Sequence, residues 1–170
     1  MLMKKMMYNA QKGVGMMEVL VAMVILSIAI LGFVALQVRA TAATDEALNR
    51  SDALVILNGL AEKIRINTTG NYKAAVPTTL PTCFAAKNCN SDNQALADLY
   101  AQKQFADTKG ISLGVADCAN TSSAQTRLCL IAAWDSTTAT IGAGTVSDRC
   151  LNSTDGKYAP DSHCLVLEAY

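Results

Sequence analysis

The sequence is poor in the groups that most enzymes use for acid–base and nucleophilic chemistry. It holds a single histidine, His163, so no histidine–serine–carboxylate set can be assembled away from that residue. No Cys-x-x-Cys pair occurs, which argues against a thioredoxin-like redox site. The cysteine spacings match no common zinc pattern, and Asp148, Asp155 and Asp161 lack the spacing of a calcium loop. No catalytic residue, metal or cofactor is expected. An excess of either charge is lacking too, with 14 basic and 14 acidic residues. Without a basic field, direct binding to nucleic acid is not expected. Proline is absent until Pro77, so nothing breaks a helix in the first part of the chain.

Charge itself is missing from one stretch. From Val14 to Leu36 there are 23 residues, and Glu18 is the only charged one. As a helix this run is about 35 Å long, enough to cross a bilayer with some tilt. Lys4, Lys5 and Lys12 precede it, so the positive-inside tendency keeps residues 1–13 cytoplasmic and sends the rest across the membrane. An ionised acid near the centre of such a span costs about 2.5–3.5 kcal/mol on insertion scales, so Glu18 near its start calls for a functional explanation. An ordinary secretory signal competes, with Ala40-Thr41-Ala42 as a small-residue cleavage site. Its apolar run would be too long, and Arg39 stands just before that site. A plain single-pass anchor also competes, with Glu18 snorkelling to the cytoplasmic headgroups.

The spacing favours a third explanation, because Glu18 is the fifth residue after Gly13. Basic leader, Gly13, Glu18 and apolar helix, in that order, resemble the class III signal of type IV prepilins. The wording from Lys12 to Gln37 is most similar to the PilV-type minor pilins. Val14 stands where most major pilins have phenylalanine, and Ala35 where many have a helix-kinking proline. Both differences favour a minor pilin over a major one. The resemblance implies that a membrane prepilin peptidase cuts between Gly13 and Val14 and methylates the new amine on Val14. It implies that Glu18 serves assembly by neutralising the amine of a neighbouring subunit. Removing the three leader lysines leaves 11 basic residues against 14 acidic ones. The expected partners are other minor and major pilins and the peptidase, with a tip adhesin as a further candidate and the membrane before assembly. The expected location is the inner membrane, as a single pass with a periplasmic domain, and then a type IV pilus near its tip. A pseudopilin of a type II secretion system obeys the same N-terminal chemistry and is the main alternative, followed by an anchored periplasmic binding protein.

Beyond the apolar run the helix is expected to continue to about Ile66. Ala47, Leu54, Leu57, Ala61 and Ile64 form an apolar stripe, charged residues fill the positions between, and Asn67-Thr68-Thr69-Gly70-Asn71 supplies a stop. The chain then divides into a leader (1–13), a hydrophobic helix half (14–40) and a globular domain (41–170) that includes the amphipathic helix half (41–67). Residues 71–90 read as loop. Ser91 and Gln94 resemble a capping box that opens a short helix ending near Phe105. Ile111–Cys118, Arg127–Trp134 and His163–Tyr170 read as strands, the second apolar enough to be central. A weaker strand runs through Thr138–Val146, and Asn120–Gln125 and Asn152–Asp161 are turns. The fold class is α+β, and the resemblance makes it pilin-like: a long N-terminal helix packed on a small antiparallel sheet.

The six cysteines all lie in the predicted exported part, where an even count implies disulfides. Six allow about 15 pairings. Pairing of sequence neighbours is preferred: Cys83–Cys89, Cys118–Cys129 and Cys150–Cys164. Each would close a short loop and contribute roughly 2–3 kcal/mol in the chain-entropy account.

Overall fold

With no proline to interrupt it, the first element runs as one helix, α1, from Met16 to Ile66. The computed structural model describes residues 13, 15–119, 121, 127–143 and 148–169. The leader up to Lys12, Val14, most of the expected turn Asn120–Gln125, the end of the expected strand Thr138–Val146, and Tyr170 lie outside them. The chain forms two units, Met1–Thr44 and Asp45–Tyr170.

In the first unit, the large apolar side chains of α1 from Met16 to Val38 are exposed all round, so no single face is set aside for a core. The helix takes three hydroxyls back to its own backbone. Ser27 Oγ donates to the Met23 carbonyl at 2.8 Å, Thr41 Oγ1 to Val38 at 2.9 Å and Thr44 Oγ1 to Ala40 at 2.9 Å. Each hydroxyl is thereby satisfied without water.

In the second unit α1 buries Ala53, Ile56, Leu57, Leu60, Ala61 and Ile64. The expected stripe is therefore shifted. Leu57, Ala61 and Ile64 face the core, while Ala47 and Leu54 are exposed. The buried face is centred on Ile56 and Leu60 because two elements close on it. One is α3 (Ser91–Thr108), which contributes Ala95, Leu99 and Ala106, and the other is a sheet. Gln102 of α3 donates from Nε2 to the Ile56 carbonyl at 2.7 Å, and a side chain at Gly59 would press on that amide at 3.1 Å. Tyr72, buried just after α1, donates to Asp98 Oδ2 of α3 at 2.8 Å. Burial and the Asp98 carboxylate both raise the pKa of this hydroxyl, which holds it in the donor form. The helix α3 is longer than the sequence predicts and starts from Asn90, not Ser91. The Asn90 side chain accepts from Asn93 N at 2.9 Å, and Ser91 Oγ instead accepts from Thr69. Asparagine is at least as good an N-cap as serine, so the adjacent pair left the start ambiguous by one residue.

Three strands follow the order β1-β2-β5, all antiparallel: β1 (Ser112–Asp117), β2 (Leu128–Ala133) and β5 (Cys164–Ala169). The middle strand is covered on both faces. Leu130 and Ala132 join the helix-side core, and Ile131 and Ala133 join a second core with Cys150, Leu151 and Cys164. That explains its unbroken apolar sequence, since a strand buried on both sides has no polar alternation. The second core is roofed by β3 (Thr138–Gly142) and β4 (Arg149–Asn152), which form a separate two-stranded sheet. These two strands pair in parallel, with an irregularity between Thr138 and Ile141. The strand pattern predicts one sheet and no β4. Parallel neighbours normally need a crossover of a dozen or more residues, and the link here is far shorter.

Three disulfides staple the second unit. Cys83–Cys89 closes a loop that holds the short helix α2 (Cys83–Ala86). Cys118–Cys129 ties the end of β1 to β2, and Cys150–Cys164 ties the two sheets together through β4 and β5. The roof sits close on the sheet at one glycine. A Cβ on Gly114 of β1 would lie 2.0 Å from the Ala139 carbonyl oxygen of β3. Gly114→Ala therefore forces the two sheets apart. The expected loss is about 1–3 kcal/mol, as for overpacked cores. Urea unfolding of the detergent-solubilised chain checks it, and an unchanged midpoint would contradict the close approach.

Candidate functional site

The candidate site is the start of α1. The Gly15 carbonyl accepts from Glu18 N at 2.9 Å and from Val19 N at 3.4 Å, which opens the helix at Met16. Glu18 thus stands in the first turn, where the helix leaves N–H groups without partners. Its negative charge is favoured there by about 0.3–1 kcal/mol. The side chain is exposed, and the next charged residue along the chain is Arg39. Gly13 is also exposed, and a Cβ there would meet nothing within 4 Å. Val14, the expected methylation site, lies outside the described residues. The arrangement is one carboxylate at the mouth of a helix that is apolar on every side and long enough, by length and composition, to cross a membrane.

Two family models match. The prokaryotic N-terminal methylation motif covers residues 8–34, and the type IV pilin Tt1218 family covers residues 35–154, well over half of the chain. The chain belongs to the type IV pilins. No curated protein and no solved structure matches it. Pilins of this kind are structural subunits. The methylation motif and the apolar helix fit a subunit first anchored in the inner membrane and later assembled in a pilus with other pilins, after handling by a prepilin peptidase.

The globular unit of this pilin holds a second polar cluster that sequence reasoning missed. Glu46 of α1 accepts from Arg50 Nε at 2.7 Å and from Trp134 Nε1 at 2.9 Å, and its Oε2 lies 3.3 Å from His163 Nδ1. Asp135 Oδ2 lies 3.8 Å from the same histidine nitrogen, and the Trp134 and His163 rings are tilted at 6.5 Å. The cluster pins α1 to the end of β2 and the start of β5. On sequence alone, Trp134 reads as core and His163 as an ordinary strand-edge residue. Trp134 is indeed buried, but its N–H needs the acceptor that Glu46 supplies. A second carboxylate, Glu168, lies within 4.8 Å of the sulfurs of Cys118 and Cys129. Those sulfurs are bonded to each other and offer no thiolate, and Glu168 pairs with Arg127 at 2.7 Å.

Burial alone would raise the pKa of Glu46, but hydrogen bonds from Arg50, Trp134 and His163 outweigh it and hold the carboxyl below its ordinary value. A carboxyl whose folded pKa is lowered stabilises the fold above its unfolded pKa, and this contribution disappears as pH falls through the folded value. Glu46→Gln should lower the thermal midpoint at neutral pH, and the gap to the native chain should close as the pH drops below the carboxylate range. A gap that stays constant with pH would contradict this role.

Proposed function

We propose that this type IV pilin is a minor pilin, matured by cleavage between Gly13 and Val14 and methylated on Val14, that joins other minor pilins in a complex that primes pilus assembly at or near the tip. The observation that carries the proposal is Glu18. It is the only charge between Val14 and Leu36, it stands in the first turn of α1, and it is the fifth residue after Gly13. Val14 in place of phenylalanine, and Ala35 in place of a proline, favour a minor over a major subunit.

The chemistry follows from moving a helix out of lipid into a bundle of helices. Each subunit carries a cationic N-terminus into surroundings of low dielectric constant. A carboxylate one turn into a neighbour neutralises it, and Glu18 is the acid available. The intact pair is close to neutral in free energy, whereas removing one partner costs roughly 3–5 kcal/mol because a buried charge is left alone. Glu18 therefore sets axial register more than affinity. The exposed apolar half of α1 supplies the association surface, and the disulfide-tied unit supplies contacts at the filament exterior. The organisation that goes with this is a cleaved leader (1–13), a membrane and filament-core helix half (14–40) and a periplasmic domain (41–170).

Glu18→Ala should be cleaved normally yet enter sheared pili several-fold less than the native chain, as read by immunoblot of the pilus fraction. Unchanged incorporation would sink the pairing role. Co-purification of the native chain with a secretin-linked secretion complex, and not with pili, would assign it to the pseudopilins instead.

A further inference from the structure

The sheet has two outer edges, β1 and β5, and they are not alike. In the antiparallel ladder Cys118 N donates to the Arg127 carbonyl at 3.0 Å, so by alternation Ala116, Gly114 and Ser112 point their backbone groups at β2. The N–H and C=O groups of Leu113 and Val115 then point outward, and among the described residues no hydrogen bond reaches them. On the opposite edge, Trp134 N donates to the His163 carbonyl, which by the same alternation turns Val166 of β5 outward. That edge is covered at its middle, where Val166 N donates to Tyr158 Oη at 3.3 Å.

The open edge lies at the bottom of a groove of about 350 Å³. One wall is Lys73, Ala74, Ala75 and Val76, and the other is Ala139, Thr140 and Ile141 of β3. Folded proteins usually blunt an exposed edge with lysine, proline or a bulge. From Ser112 to Ala116 this edge has no charge and no proline, and its ladder to β2 is regular. Asp117 at its end is already neutralised by Lys73 at 2.6 Å. Apart from Lys73, which is paired with Asp117, the walls present uncharged side chains, so the groove offers alternate backbone donors and acceptors and no unpaired charge. A row of that kind is complementary to one thing, another extended backbone.

We propose that the β1 edge is a strand-addition site that takes an extended, uncharged segment of a different pilus subunit. A second copy of this chain does not fit the role through its own sheet. Its β1 lies in the same walled groove, and its β5 edge carries Tyr158 across the middle, at Val166. The occupant is a loop or terminal segment outside any sheet, with small or β-branched side chains to match the walls. It hydrogen-bonds in register with Leu113 and Val115. The proposal rests on the assignment of this chain to the pilus.

Proline at position 115 tests it, because the N–H it removes points outward and the ladder to β2 stays whole. A photo-reactive residue replaces Thr140, on the exposed wall, and sheared pili from cells are irradiated. The expected result is an adduct between this chain and another pilin, identified by mass spectrometry. It should be lost in Val115→Pro and retained in Val115→Thr, which keeps the N–H. Both variants must be processed and must unfold within a few degrees of the native chain. Should Val115→Pro fail that control, hydrogen exchange decides: the Leu113 and Val115 amides of the native chain should exchange freely in detergent and be protected in pili. An adduct that persists in a folded Val115→Pro, an adduct between two copies of this chain, the absence of any adduct, or amides equally exposed in detergent and in pili would overturn the proposal and leave the pilus assignment standing. Absence of the native chain from sheared pili would overturn both.

Discussion

A helix that must work in two solvents is the constraint on which the rest depends. In lipid no water is present to satisfy backbone N–H and C=O groups, so a spanning segment has to bond them internally. α1 does so from Met16 onward, and Ser27, Thr41 and Thr44 return their hydroxyls to its own carbonyls. Only the start of the helix leaves donors unpaired, and that is where the single acid of its apolar half, Glu18, stands. The same element then offers a different face to a different environment, burying Ala53, Ile56, Leu57, Leu60, Ala61 and Ile64 under a sheet and a second helix. One uninterrupted element therefore has the length and composition of a membrane anchor in its first part and is the spine of a folded domain in its second.

The domain on that spine is small, and its two cores are rich in alanine and cysteine. Small residues bring the layers close, as at Gly114 beneath Ala139, but each buries little apolar area. The disulfides supply what the cores do not, and Cys150–Cys164 joins the two sheets where a short parallel pair would otherwise be held by few side chains. Glu46 adds a polar tie from α1 to Trp134 and His163.

Most of the architecture was legible because it is written in local pattern. The long apolar run, the stop after Ile66, the short helix after Asn90 and the three main strands each follow from periodicity and turn residues within one stretch of chain. The parts that were not legible depend on contacts between distant stretches. Whether Leu54 or Ile56 faces the core is decided by where α3 and the sheet close, and the stripe alone fits both. The parallel pairing of β3 and β4 has no local signature. The Glu46 cluster joins residues 46, 134 and 163, and nothing near any one of them announces the other two. At the N-terminus the case is reversed. The offset from Gly13 to Glu18 is read from sequence, and a folded subunit by itself adds only that Glu18 lies in the first turn of an apolar helix.

The mature N-terminal residue tests the central claim most directly. The intact mass of the chain purified from membranes should match a start at Val14 carrying one methyl group on its amine. A start at Met1 would make the apolar helix a simple anchor. A start near Ala43 would make it a secretory signal. Either result would contradict a role for Glu18 opposite a new amine.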